Sequence, residues 1–169
     1  MSNNAVAACS RDETVHVRID GRAVAHDCPA LRRYVESAVR NGCRKVLVHL
    51  QRCEHFDSTF LGTLLCLKKF TTQNNPVDLR LVKASHEAQS ILKRMGAAAL
   101  FDSEDDRECP EQGPWAICEP EQAGNCTFDF KQNVVQAHQQ LAEVEGPLGA
   151  TYRQIAEMAA RDLEAAQNR

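Results

Sequence analysis

The run Val46-Leu47-Val48-His49-Leu50 constrains the fold of this chain more than any other segment. It is apolar except for the histidine, and its valines favour an extended backbone. A strand that is apolar on both faces lies in the middle of a sheet, with other structure covering each side. The run therefore predicts the central strand of an α/β fold.

The segments around this strand alternate between strand-like and helix-like patterns. Apolar residues repeat with a period of two in the predicted strands and with a period near 3.6 in the predicted amphipathic helices. The order predicts a mixed, mostly parallel sheet with right-handed crossovers. The predicted strands are 14–20, 22–24, 46–50 and 77–82, with a short edge strand at 100–101, and the predicted helices are 27–41, 57–73 and 85–95.

The first strand is expected to begin a hairpin. Gly21 marks a turn, and Arg22-Ala23-Val24 is interpreted as the short return strand. Residues 1–12 are small and polar, and we expect them to form a frayed tail.

The composition changes after residue 102. Acidic side chains dominate residues 102–121, Arg107 is the one basic residue among them, and prolines interrupt the segment. This pattern predicts an acidic linker over 103–127. Within it, 115–117 is either a short strand or a plug that packs on the domain.

Helical periodicity returns beyond residue 127. Phe130, Val134, Ala137, Leu141 and Val144 follow one another at steps of three and four, and a second stripe follows Gly146-Pro147. The pattern predicts a helical hairpin extension over 128–167, or one long kinked helix. Two narrow stripes need a surface to cover them. That surface is either the flank of the same chain or the same hairpin in a second chain, which would make a homodimer through 128–167.

Bulk properties exclude several classes of protein. The net charge is −3 and the pI is about 6.1, so we expect no nucleic-acid partner. No segment reaches the roughly 20 apolar residues of a membrane span, and the N-terminus lacks a signal-peptide pattern. We therefore expect a cytoplasmic protein without a membrane partner.

Eight cysteines occur without any Cys-x-x-Cys pair. Cys53 and His55 are the nearest approach to a metal-binding pattern, and two ligands are too few for a zinc site. The cysteines are interpreted as small buried residues in a reducing compartment, and we expect neither a metal nor a cofactor.

The stretch from Lys45 to Leu64 resembles the STAS family, the fold of anti-sigma-factor antagonists. In that family a buried strand leads through a short loop to Asp-Ser-(Ser/Thr)-x-x-Gly-x-Leu at a helix start. The matching residues are Asp57, Ser58, Thr59, Gly62 and Leu64. The order of elements also matches over about 13–102, which we interpret as a STAS-like domain; the tail lies outside the resemblance.

The resemblance implies a protein-binding switch in transcription regulation. In such proteins the unphosphorylated form binds an anti-sigma factor that is also a serine kinase, and phosphorylation of the serine after the aspartate releases it. Carried over, this makes Ser58 the phosphoacceptor, with Thr59 as the alternative. The partner-binding residues would be Asp57, Ser58, Thr59 and Phe60.

Physical chemistry alone leaves two interpretations of the helix start. Asp57 or Ser58 can simply be an N-cap, which contributes about 1 kcal/mol. Alternatively, the unpaired N–H groups and the positive helix dipole can accommodate a phosphate, which adds about −1.5 to −2 charges beside Asp57.

Two residues depart from the usual pattern of the family. Phe60 stands where glycine is usual two residues after the acceptor, and it either fills the core or anchors a partner. His49 stands near the end of the central strand in place of an acidic residue or asparagine. It is interpreted as a hydrogen-bonded core histidine.

Three functions are compatible with these features: the switch, an unphosphorylated scaffold that dimerises through its C-terminal helices, and a small-ligand sensor or lipid-transport accessory. The chain lacks the Gly-x-Ser-x-Gly nucleophile elbow, the phosphate-binding P-loop and the dinucleotide fingerprint. We therefore expect no catalytic residues and no enzyme activity.

Overall fold

The structure is a computed structural model that describes residues 4–73, 76–120 and 128–168. Its helices are α1 (Cys28–Arg40), α2 (Ser58–Gln73), α3 (His86–Arg94), α4 (Phe128–Glu143) and α5 (Pro147–Gln167), with 3-10 turns at Ala25–Asp27 and Ala98–Leu100. Its strands are β1 (Ala5–Arg11), β2 (Thr14–Ala23), β3 (Lys45–Phe56), β4 (Asp78–Val82), β5 (Asp102–Ser103) and β6 (Ala116–Ile117).

The strands of the described residues form one sheet in the order β5-β4-β3-β2-β1-β6. The pairs β2–β3, β3–β4 and β4–β5 are parallel, whereas β1 pairs antiparallel with both β2 and β6. The predicted mixed, mostly parallel α/β sheet is confirmed. The apolar run at 46–50 lies in β3, between two parallel neighbours and almost fully buried.

The opening hairpin lies earlier in the chain than predicted. β1 and β2 are joined at Asp12 and Glu13, whose φ angles of 49° and 60° are both positive. Two-residue hairpin turns require this backbone, and asparagine or glycine usually supplies it. Neither residue occurs here, so the sequence pattern does not reveal the turn. The prediction of a frayed tail is wrong from residue 5 onward.

Gly21 is part of β2 and is not a hairpin turn. Its φ is +74°, and the register between β2 and β3 shifts between Gly21 and Arg22. The glycine therefore allows an irregularity within a strand that continues to Ala23. The predicted return strand at 22–24 is wrong.

Helices cover one face of the sheet. The face that carries Val17, Ile19, Val48 and Leu50 belongs to the main hydrophobic core, together with the apolar stripes of α1, α2 and α3. In α2, every residue from Thr59 to Leu64 is buried. Such a helix is covered on two sides, and the second cover comes from the C-terminal extension.

The other face of the sheet is covered by residues of the predicted acidic linker. The Arg18 guanidinium lies 4.4 Å from the centre of the Trp115 ring. The backbone N–H of Cys118 donates to the carbonyl of Val6 at 2.8 Å. Of the two interpretations of 115–117, the strand applies to Ala116–Ile117, which form β6 and pair with the edge strand β1. Residues 121–127 of the predicted linker lie outside the described residues.

The predicted C-terminal helical extension is confirmed. α4 and α5 form a hairpin whose turn contains Gly146, with a φ of +97°, and outside this hairpin α4 packs mainly on α2. Of the two surfaces considered for the apolar stripes, the chain's own flank is the one that α4 covers. No helix among the described residues combines the length and apolar character that a membrane crossing requires.

Candidate functional site

Asp57 fixes the start of α2 at the end of β3. Its Oδ1 accepts a hydrogen bond from the backbone N–H of Phe60 at 2.9 Å, which caps the helix. Its Oδ2 accepts from the backbone N–H of Ala25 at 2.9 Å and so links the 3-10 turn before α1 to α2. Both carboxylate oxygens therefore have structural roles.

Ser58 occupies the first position of α2 and is half-buried. Because Asp57 caps the helix, the Ser58 hydroxyl is not needed for that purpose. Its Oγ lies 3.4 Å from Nε2 of His138 in α4. The hydroxyl thus stands at the positive end of a 16-residue helix with one weak polar neighbour.

Thr59 and Phe60 point into the protein. Thr59 is 6% exposed and Phe60 is fully buried, with its ring 5.8 Å from that of Phe56. Phe60 therefore fills core volume, which is one of the two interpretations of this residue. Of the four residues predicted to bind a partner, Asp57 and Ser58 are the half-exposed ones.

α4 lies directly over this part of α2, a feature that the sequence pattern did not predict. A Cβ atom placed on Gly62 would lie 2.3 Å from the carbonyl oxygen of Ala137, so the two backbones touch. The Nδ2 of Asn133 donates to Oγ1 of Thr63 at 3.1 Å. The apolar spacing of α4 indicated a buried helix face but carried no information on which surface buries it.

Arg32 of α1 adds a second set of contacts to α4. Its Nη1 donates to Oε1 of Gln136 at 2.5 Å and to Oδ1 of Asn133 at 3.2 Å. On α2, the Cys66 thiol donates to the backbone carbonyl of Gln136 at 3.5 Å. α4 is therefore held by hydrogen bonds to both α1 and α2.

His138 is 8% exposed, and its ring stacks on Tyr152 of α5 with centroids 5.8 Å apart. Burial lowers the pKa of His138, although the nearby Asp57 carboxylate acts in the opposite direction. Its Nδ1 is buried and has no hydrogen-bond partner among the described residues. A serine–histidine pair acts in acyl transfer when a third group orients that nitrogen. The described residues do not supply one.

His49 does not reach Ser58, because it faces the side of the sheet opposite the helices. Its Nε2 lies 3.0 Å from Nδ1 of His16, and both residues are buried. The interpretation of His49 as a hydrogen-bonded core histidine is confirmed. The Cys53 thiol, near His55 at the end of β3, donates to the His55 carbonyl. Within the described residues, no three His, Cys, Asp or Glu side chains are grouped to hold a metal.

Comparisons with known proteins agree with this architecture. The structure is similar to that of the anti-sigma factor antagonist SpoIIAA in its unphosphorylated form, with a TM-score of 0.52 and 17% identity over 60% of this chain and 90% of that one. It is also similar to the NMR structure of the protein TM1081, with a TM-score of 0.52 and 16% identity over 62% of this chain and 81% of that one. At these identities the likeness shows the fold alone.

No curated protein matches the chain. A family model does, over residues 6–102, and that family is described as "Mlab, STAS domain". Because the match spans more than half of the 169 residues, this chain belongs to the STAS_2 family of STAS domains.

Proposed function

We propose that this protein is a protein-binding regulatory switch whose state is set by phosphorylation of Ser58. The proposal rests on the different roles of two neighbouring residues at the start of α2. Asp57 makes the capping hydrogen bond, so the half-exposed Ser58 hydroxyl can be modified without loss of the cap. Thr59, the alternative acceptor, is buried.

The electrostatics of this position support a switch. A phosphate on Ser58 would lie near the unpaired N–H groups and positive dipole of α2, which favour an anion. It would also add about −1.5 to −2 charges next to the Asp57 carboxylate. A partner surface that fits a neutral hydroxyl beside one carboxylate would then face two negatively charged groups. Electrostatic repulsion and the loss of fit would favour dissociation of the partner.

The proposed partner is an anti-sigma factor that is also a serine kinase, and the proposed setting is transcription regulation in the cytoplasm. The structural likeness to an anti-sigma factor antagonist supports this class of partner. The partner would supply the phosphoryl-transfer chemistry, and this chain would be a substrate and a ligand without enzyme activity.

The test combines modification and binding. Phosphopeptide mapping of the full chain from its native cells should find phosphate on Ser58. Against the co-purifying kinase, Ser58→Asp should bind at least about 100-fold more weakly, because the introduced charge imitates the modified state. Ser58→Ala should bind like the unmodified protein, and Thr59→Val is the matched hydroxyl-removal control. Equal binding by Ser58→Asp and Ser58→Ala would show that Ser58 is not a switch.

A second candidate function is an unphosphorylated scaffold that dimerises through the C-terminal helices. The observation that favours it is the exposure of Ile155 (41%) and Met158 (57%) on α5. These two side chains lie three residues apart, on one side of the helix. The oligomeric state of a chain that ends before α4 tests this alternative.

A further inference from the structure

We propose that α4 is an internal occupant of the switch surface, and that it must move aside before a kinase or another protein can engage Ser58. The inference rests on the proposed function of Ser58 and adds a control over it. We use the name α4-binding face for the surface of α1 and α2 formed by Arg32, Ser58, Gly62, Thr63 and Cys66.

α2 and α4 are in direct backbone contact. Gly62 lies against the backbone of Ala137, so close that a Cβ atom on the glycine would come within 2.3 Å of the Ala137 carbonyl oxygen. Helices that touch through their backbones leave no space for a third protein segment between them. A partner therefore cannot reach the α4-binding face while α4 occupies it.

The Ser58 hydroxyl lies directly beside α4. Its Oγ lies 3.4 Å from the His138 ring, and the side chain is half-buried. Phosphoryl transfer needs the donor phosphorus in line with the attacking oxygen, with reacting atoms about 3–3.5 Å apart. His138 already fills the space at that distance on one side of the hydroxyl, so a phosphoryl donor can approach from that side only after α4 is displaced.

Polar side chains form part of the contact between α4 and the α4-binding face. Asn133 is 4% exposed and donates to Thr63, while Arg32 donates to both Asn133 and Gln136. Amide and guanidinium groups can exchange these hydrogen bonds for water, so their net contribution to holding α4 is modest. Ala137 and Leu141 of α4 are fully buried as well, so opening also exposes apolar surface and the closed state predominates.

The experiment measures access to position 58 directly. In the full chain, Ser58→Cys provides a thiol whose alkylation by iodoacetamide is followed by peptide mass spectrometry, which separates it from the native cysteines. A second substitution, Thr63→Val, removes the acceptor for the buried Asn133 amide. Alkylation at position 58 should become about tenfold faster, because an unsatisfied buried amide favours the open state.

Thr71→Val is the matched control. Thr71 is also a buried threonine of α2 whose hydroxyl donates within its own helix, to the Lys68 carbonyl. It should leave the alkylation rate at position 58 unchanged. Gly62→Ala is an independent opening variant, since its Cβ would collide with α4 while alanine favours helix more than glycine does.

The results separate this inference from the proposed function, because alkylation needs no kinase. Faster labelling in Thr63→Val and Gly62→Ala than in Thr71→Val supports the covering role of α4, even if Ser58 carries no phosphate in cells. Equal labelling rates in all three overturn it, even if Ser58 is phosphorylated. Where both proposals hold, phosphate occupancy of Ser58 in cells rises in Thr63→Val and stays unchanged in Thr71→Val.

Discussion

At the start of α2, the hydrogen bonds made by Asp57 remove the need for a capping hydrogen bond from Ser58. Both oxygens of Asp57 accept backbone hydrogen bonds, from Phe60 and from Ala25. Ser58 is thereby left without a capping role. A serine that caps its own helix would lose that hydrogen bond on phosphorylation, whereas this one keeps the helix start intact.

His16 and His49 form a buried polar contact between β2 and β3. A 3.0 Å contact between two ring nitrogens requires one to donate and the other to accept, so the accepting ring is neutral in the hydrogen-bonded state. Burial is the main cause that lowers both pKa values, and it brings that of His49 from its ordinary 6.5 to about 4.

This pair predicts an acid-sensitive fold. Between pH 6.5 and 4, the unfolded chain binds a proton at His49 that the folded chain does not, so stability falls as the pH falls. We expect His49 to account for a loss of about 2 kcal/mol in the free energy of unfolding between pH 7.5 and pH 5.

Urea unfolding at the two pH values measures this loss. His49→Gln should reduce the pH dependence, and His86→Gln, at an exposed position at the start of α3, is the control substitution. A His49→Gln protein with the pH dependence of the original chain would contradict the assignment.

The sequence identifies one member of this pair and not the other. His49 stands out because it interrupts an apolar run. His16 occupies a strand that alternates apolar and polar residues, a pattern that places it on a polar face. It lies in register with Leu47, and that register comes from pairing between distant strands, which local patterns do not encode.

At the scale of elements, α2 and the segment 104–118 are the parts that hold the layers together. The sequence predicted the existence of α2 and its apolar side chains. The apolar residues at 60, 61, 64, 65 and 67 spread around much of the helix, which is typical of burial on two sides. The second cover, α4, was predicted as a helix, but its position depends on tertiary contacts such as that between Gly62 and Ala137.

Because Arg18 contacts Trp115, the packing of the segment 104–118 can be followed by tryptophan fluorescence. Trp115 is the one tryptophan of the chain, so its fluorescence reports on the packing of this segment alone. A cation–π contact of this kind contributes about 0.5–2 kcal/mol. Arg18→Ala should therefore loosen the segment and shift Trp115 emission to the red, with stronger quenching by acrylamide.

Arg22→Ala is the control for this measurement, because Arg22 is an exposed arginine on the same strand. It should leave emission and quenching unchanged. Indistinguishable spectra from the two variants would mean that Arg18 does not hold the tryptophan.

At the scale of the whole molecule, residues beyond 102 complete both sides of the STAS domain. The segment 104–118 covers one face of the sheet, and α4 covers part of the helical layer on the other. The family match ends at residue 102, so the residues that pack on the domain extend beyond the region that the family model matches.

Two shortened chains test this description. A chain ending at residue 120 retains β6 and the segment 104–118, and we expect cooperative unfolding at a lower temperature than the full chain, because α4 no longer covers α2. A chain ending at residue 102 also loses the cover over Cys9, which is fully buried and lies next to Gly113. It should unfold at a lower temperature than the chain ending at residue 120, and its exposed apolar surface should bind a hydrophobic dye.

Light scattering of the same two chains addresses the scaffold alternative. A full-length dimer that becomes monomeric when the chain ends at 120 would assign dimerisation to α4 and α5. A chain ending at 102 with the stability of the longer one would contradict the covering role of 104–118.

The hydrogen bond between Cys118 and Val6 anchors the C-terminal region to the sheet edge, and only residues 119–127 separate this anchor from α4. Nine residues span at most about 30 Å, so a displaced α4 stays within that distance of its point of attachment. Its return is an intramolecular event, with an effective concentration on the order of millimolar. A protein that competes with α4 for α2 will therefore bind the full chain more weakly than a chain ending at residue 120.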